Sequence, residues 1–167
     1  CARLVGTDRY SNWPAAVRGL PKLGGLEDAQ VERIVALRPD VVLLATSARV
    51  IDRLEALGLK VVALEPRTYA DVERVIGQVT RVLGLPPAEA PALWGRIQSQ
   101  VAAAVQTVPP AARGLSVYYE VDSAPYAAGE SSFIGETLAR LGVRNIVPAS
   151  LGPFPKLNPE YIVRADP

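Results

Sequence analysis

Tyr10, Tyr126 and Phe154 are three aromatic residues that stand outside any apolar periodicity, in segments of Gly, Pro and polar residues. Tyr126 lies between Pro125 and Gly129, Phe154 lies between Pro153 and Pro155, and Tyr10 follows a strand-like start in a polar loop. An aromatic on a Pro-stiffened loop offers a large contact area and loses little side-chain entropy on binding, which suits holding a ligand. The plain alternative is that each ring packs its own lobe. Two acidic residues form a second pattern, because Glu32 and Glu160 sit in segments built alike. Gln30 to Asp40 and Asn158 to Pro167 each carry a Glu near a helix start, an Ile two residues later and a charged turn containing Pro. The two segments read as the halves of a ligand clamp. A strand, Val41 to Ala45, follows the first copy, while the chain reaches its last residue at the second.

Composition narrows the chemistry. The chain has no His and no Met, so the usual neutral base and the commonest transition-metal ligand are missing. Its single Cys forms no internal disulfide and reads as a buried or chain-edge residue at Cys1 rather than a lipid-attachment point. Neither Val5-Gly6 nor Gly24-Gly25 has the spacing or the Lys of a phosphate loop. Thr46-Ser47 is accounted for by a helix cap. No paired Asp/Glu motif appears, and no enzyme is expected. The net charge is +1 with no basic run, which gives nothing for nucleic acid or an anionic membrane. The 167 residues, 49% of them hydrophobic, suffice for one good core or two small ones.

The elements that must position these residues follow an α/β rhythm. Val41 to Ala45 and Val61 to Leu64 are short apolar strands, and the helix between them carries Val50, Ile51, Leu54 and Leu57, with Ser47 as cap and Gly58 as stop. Apolar strands separated by helices favour parallel pairing. Thr68 to Asp71 predicts a capping box for a helix carrying Val72, Val75, Ile76, Val79 and Leu83, ending near Gly84. Pro86-Pro87 breaks the chain. A long helix is then predicted from Ala88 to Val108, with Leu93, Ile97, Val101, Val105 and Val108 as its apolar stripe. At 1.5 Å per residue it reaches about 30 Å, enough to join two small lobes. A second α/β pattern begins at Leu115 to Tyr119, continues in a helix capped by Ser131 or Ser132, and ends in a helix that Asn158 caps and Pro159 opens. The expected organisation is an N-terminal lobe over 1–86, a connecting backbone helix over 87–109 and an incomplete C-terminal lobe over 110–167. Both lobes are α/β, each with a mostly parallel sheet flanked by helices.

That order resembles the substrate-binding proteins of bacterial ABC importers with a rigid helical connector, which carry cobalamin, haem or iron–siderophores, and most of all their cobalamin-binding branch. The resemblance rests on Leu4 to Pro14, Val31 to Leu44, Leu57 to Val61, Ala124 to Gly129, Leu141 to Ile146 and Gly152 to Pro155, and it covers essentially the whole chain in order. Such proteins have elements before Leu4 and several after Pro167, so the chain is expected to be trimmed at both ends. The resemblance implies an extracytoplasmic protein that holds cobalamin or another corrinoid between two lobes, with no catalytic cofactor of its own. Tyr10 matches the first-lobe aromatic, Tyr126 a second-lobe aromatic, and Phe154 stands where the family has Trp. Leu26 stands near where the family has another pocket Trp, keeping an apolar wall but no ring to stack. Glu32 and Glu160 match the acidic residue on each lobe that meets an arginine pocket on the transmembrane subunits of the permease. Trp13 is expected to pack against the neighbouring helix. Haem would need Tyr10 or Tyr126 as iron ligand, and siderophores would need Arg9, Arg49 or Arg67. A sheet edge exposed at the trimmed end would allow two copies to pair.

Overall fold

The first copy of the repeated segment is helix α1, Val31–Ala36, which turns Val31 and Ile34 into the core and leaves Glu32 at the surface. Spacing of three residues puts the two apolar side chains on one helical face. The computed structural model describes residues 2–122 and 124–167, so the expectation for Cys1 lies outside the described residues. The chain divides into the units Cys1–Glu65 and Pro66–Pro167.

In the first unit, β1 (Val42–Leu44) and β2 (Val61–Ala63) pair in parallel, with Val42 opposite Val61. Helix α2, Ile51–Ala56, connects them and buries Leu54 completely. Val31, Ile34, Ala48, Val50 and Leu54 form the core, closed by Leu23, Val42, Leu44 and Val61 among others. Ser47 does not cap α2. The Ala48 N–H donates to the Ala45 carbonyl in a turn, and the buried Ala48 and Val50 fix the next residues by packing, so the helix begins only after Val50.

The second unit starts with α3 (Tyr69–Val82) and α4 (Glu89–Gln106), which pack on each other. The capping box forms as predicted, with Thr68 and Asp71 exchanging side-chain and backbone hydrogen bonds. Gly84 ends α3 at φ 59°, a conformation that costs a residue without Cβ nothing. The inward stripe of α4 begins at Trp94, 6% exposed, rather than Leu93, 40% exposed. Both positions are one turn before Ile97, and the larger indole takes the one that faces Tyr69, with ring centroids 6.3 Å apart.

Two narrow strand pairs follow. β3 (Ser116–Val117) lies parallel to β6 (Arg144–Asn145), and β4 (Glu120–Asp122) lies antiparallel to β5 (Tyr126–Ala127). Helix α5, Phe133–Arg140, is capped by Ser132, whose buried Oγ accepts from the Gly135 N–H at 2.9 Å and donates to the Gly129 carbonyl at 2.7 Å. Helix α6, Pro159–Ala165, is capped by Asn158 as the sequence predicts. Ala127, Val147 and Leu157 form a core cluster under Tyr118, Ile146 and Ile162. Both units are therefore α/β, each with a parallel strand pair flanked by helices. Among the described residues no helix is long and apolar enough to cross a membrane.

Candidate ligand-binding surfaces

Tyr10 sits on a loop pinned from three sides. Asp8 Oδ1 accepts from the backbone N–H of Tyr10 at 2.7 Å and of Ser11 at 3.0 Å, and Asp8 also accepts from the Ser11 hydroxyl. Burial alone would raise the Asp8 carboxyl, but these hydrogen bonds outweigh it and hold it below the ordinary range. Lys22 Nζ donates to Thr7 Oγ1 at 2.9 Å and to the Ser11 carbonyl at 2.5 Å, while Arg18 Nε donates to the Asn12 carbonyl at 3.0 Å. The ring held this way is 74% exposed. A Cβ on Gly25 would meet its Cε2 at 3.3 Å, so Tyr10 lies over Gly25, next to the 56% exposed Leu26. The Arg9 guanidinium stands 5.8 Å from the Tyr10 centroid and pairs with Asp28. Tyr10 and Leu26 are thus exposed apolar side chains on either side of Gly25 in the first unit. Trp13, expected to pack, is 82% exposed on the same loop, because the loop is tied down by polar contacts and needs no apolar anchor there.

Tyr126 and Phe154 are brought together in the second unit. The Ala127 N–H donates to the Pro155 carbonyl at 3.0 Å, the Gly129 N–H to the Pro153 carbonyl at 2.9 Å, and the Leu157 N–H to the Pro125 carbonyl at 3.0 Å. These bonds recur every second residue, and Tyr126 bridges Lys156 in antiparallel register. Pro153 and Pro155 need supply only carbonyls to this ladder, which is the role Pro can fill at an edge. Alternation then sends Ala127 and Leu157 into the core and sets Tyr126, Phe154 and Lys156 on the opposite face. Tyr126 and Phe154 are diagonal neighbours there, about 7 Å apart and within reach of one another's rings. They are 41% and 51% exposed.

Glu32 and Glu160 both project from the first turn of their helices, where the positive end of the helix dipole favours a carboxylate. Glu32 meets Arg53 of α2 at 2.7 Å, and the Glu160 carboxylate has no ion pair among the described residues. Asp28, shortly before α1, accepts from the Gly25 N–H at 2.7 Å. Of the basic residues considered for an anionic chelate, Arg9 pairs with Asp28, Arg49 stands 3.9 Å from Glu27 with both side chains exposed, and Arg67 donates its backbone N–H to Asp71. Among the described residues no group of three or more His, Cys, Asp or Glu could hold a metal ion. Nothing in the residue pattern signals Lys22 as the loop's fastener, since a part-buried Lys reads as an ordinary surface residue until its partners are seen.

The periplasmic binding protein family model matches residues 2–167. Among curated relatives, the vitamin B12-binding protein of Salmonella typhi is 22% identical over 166 residues, covering 98% of this chain and 62% of that protein. Among solved structures, a possible iron-binding (periplasmic solute-binding) protein from Staphylococcus epidermidis superposes with a TM-score of 0.82 at 20% identity, over 98% of this chain and 66% of that one. A periplasmic haem-binding protein from Pseudomonas aeruginosa gives 0.76 at 25% identity, over 98% and 61%. The chain thus spans about three-fifths of the length of these relatives. With the family model running from residue 2 to the last, the chain belongs to the periplasmic binding protein family, whose members are extracytoplasmic.

Proposed function

We propose that the protein is the ligand-capturing component of an ABC importer and that its ligand is cobalamin or another corrinoid. The observation that carries this reading is the pair Tyr126 and Phe154, two exposed rings on one face of a Pro-bound ladder. Tyr10, with Leu26 exposed one residue past Gly25, offers further apolar surface in the first unit. Exposed rings on pinned loops fit a large flat macrocycle, because little freedom is lost when it stacks on them. No bond is made or broken. In this reading, α4 serves as the core of a connector over residues 87–109 between lobes at 1–86 and 110–167, and its continuous helix restricts opening to small angles. The loaded protein docks on the transmembrane subunits through Glu32 and Glu160, and such exposed charges set orientation and encounter rate more than affinity.

Haem is the second reading, favoured by the haem-binding relative and by the exposure of Tyr10, a ligand type for iron in a chain without His or Met.

Titration calorimetry of the protein at its full natural length with cyanocobalamin, cobinamide and haemin tests both. Tight 1:1 corrinoid binding that Tyr126→Ala with Phe154→Ala abolishes supports the first. Haemin binding lost in Tyr10→Phe supports the second, and no binding to any of the three sinks both. Sedimentation of the 167-residue chain on its own reads out any pairing of copies through the sheet edge expected at its trimmed end.

A further inference from the structure

Lys156 is the cross-strand partner of Tyr126, and its ammonium makes no ion pair or hydrogen bond among the described residues. Its side chain is exposed, on the same strand as Phe154 and two residues from it, so alternation places both on one face with Tyr126. Directly opposed residues of an antiparallel pair that share no hydrogen bonds stand about 4.5 Å apart at Cα. An uncommitted cation therefore adjoins both rings. On the far side of Tyr126 stands Asp122, one strand further away. The row reads acid, ring, cation across the ribbon, with Phe154 on the cationic side.

We propose that Lys156 is a specificity-determining residue, which reads an anionic group hung from the edge of a macrocycle stacked on Tyr126 and Phe154. The proposal rests on the reading that these two rings contact the ligand. The anion is an oxyacid: the phosphodiester of a corrinoid's nucleotide tail or the carboxylate of a porphyrin side chain. A macrocycle lying on the rings leaves its substituents at the periphery, and a flexible four-carbon stem carrying three donors reaches such a group without demanding one geometry.

Two pairs of ligands differ in whether they carry the acid, and the Lys156 variants separate its charge from the rest of the difference in shape. Cyanocobalamin carries the phosphodiester and cobinamide lacks it; haemin carries two carboxylates and haemin dimethyl ester has none. Affinities are measured by calorimetry for the unsubstituted full-length protein, Lys156→Ala, Lys156→Arg and the Tyr126→Ala/Phe154→Ala variant. In whichever pair binds, the acid-bearing member should be favoured. Lys156→Ala should cut that preference about tenfold, the scale of one charge-assisted hydrogen bond, while leaving the affinity for the acid-free member unchanged. Lys156→Arg should keep most of the preference. Equal weakening of both members, or an unchanged preference, overturns the proposal while leaving the two-ring reading intact. If removing both rings leaves all affinities as they were, the two-ring reading fails and this inference falls with it. Which pair responds identifies the anion as phosphodiester or carboxylate.

Discussion

Arg38 and Asp166 share one left-handed backbone conformation, φ 46° at each, and each stands six residues after the Glu of its segment, 32 to 38 and 160 to 166. Each closes its helix, and each is followed by Pro. Residues with a Cβ adopt this conformation in only a few per cent of cases, so its recurrence at matched positions makes the repeat one of backbone geometry as well as of residue type. The first turn presents the carboxylate, the i+2 Ile turns inward, and the left-handed residue swings the chain away from the helix.

At Arg38 that geometry has a measurable cost. Arg38→Val should destabilise the first unit by about 1–2 kcal/mol, since a branched Cβ collides with the following carbonyl oxygen at positive φ. Arg38→Gly should be neutral or stabilising. Chemical denaturation checks the pair. Equal stability of the Val and Gly variants would show that the turn relaxes freely.

Lys22 should act on ligand affinity without touching ligand. Its two short hydrogen bonds hold the loop that raises Tyr10 to the surface. Lys22→Met preserves the apolar stem and removes the donors, at a cost of about 1–3 kcal/mol if the Ser11 carbonyl is left without a partner. Hydrogen exchange of the Tyr10 and Ser11 amides should speed up, and affinity should fall although every ring is still present. Unchanged exchange in the variant would show that Asp8 and Arg18 hold the loop without Lys22.

Tyr69 is the node of the second unit. Its ring stacks on Phe133 at 4.6 Å and tilts against Trp94, the Arg140 guanidinium lies 4.1 Å from its centroid, and its N–H donates to Glu136 Oε2 at 2.8 Å. Tyr69→Ala should cost about 3–5 kcal/mol, as for other large aromatic truncations in a core. Tyr69→Ala and Phe133→Ala together should cost less than the sum of the two, by about 0.5–1.5 kcal/mol, because both remove the same stacking. Unfolding followed by Trp94 fluorescence in a Trp13→Phe background isolates this unit, and strict additivity would mean the rings are merely adjacent.

Much of this architecture was legible in the sequence. The caps at Thr68, Ser132 and Asn158 and the parallel strand pairs follow from local residue chemistry and period, which act over a few residues. Ser47 failed because burial of Ala48 and Val50 outweighed a side-chain cap, and packing is invisible to a local pattern. Leu93 failed against Trp94 because two residues one apart satisfy a 3.6-residue period almost equally, and the tie is broken by what lies opposite. For the candidate ligand surfaces, the sequence pointed to Tyr126 and Phe154 singly; their shared face arises from a ladder between segments 28 residues apart, whose Pro content argues against strand.

Asp71 makes the second unit sensitive to acid in a defined window. Its carboxylate accepts from Arg74 Nη2 at 2.8 Å and from the backbone N–H of Arg67 at 3.1 Å and of Thr68 at 3.2 Å. The Arg74 hydrogen bond is the largest influence and, with the Arg67 N–H, it pulls the carboxyl from its ordinary 3.8 down to about 2. A depressed folded value means that the unfolded chain binds the proton more readily, so stability rises with pH across this interval. The stabilisation is complete above the ordinary value and is lost as pH falls through about 2. Asp71→Asn removes the titrating group and keeps an acceptor for the cap. Thermal unfolding of both proteins between about pH 6 and pH 2 should therefore show a gap in favour of Asp71 that is constant at the upper end and closes toward the lower. Added salt should narrow it at every pH, because Arg74 is exposed and its attraction is screened. A gap that stays constant down to pH 2 would assign the effect to cap geometry instead of charge.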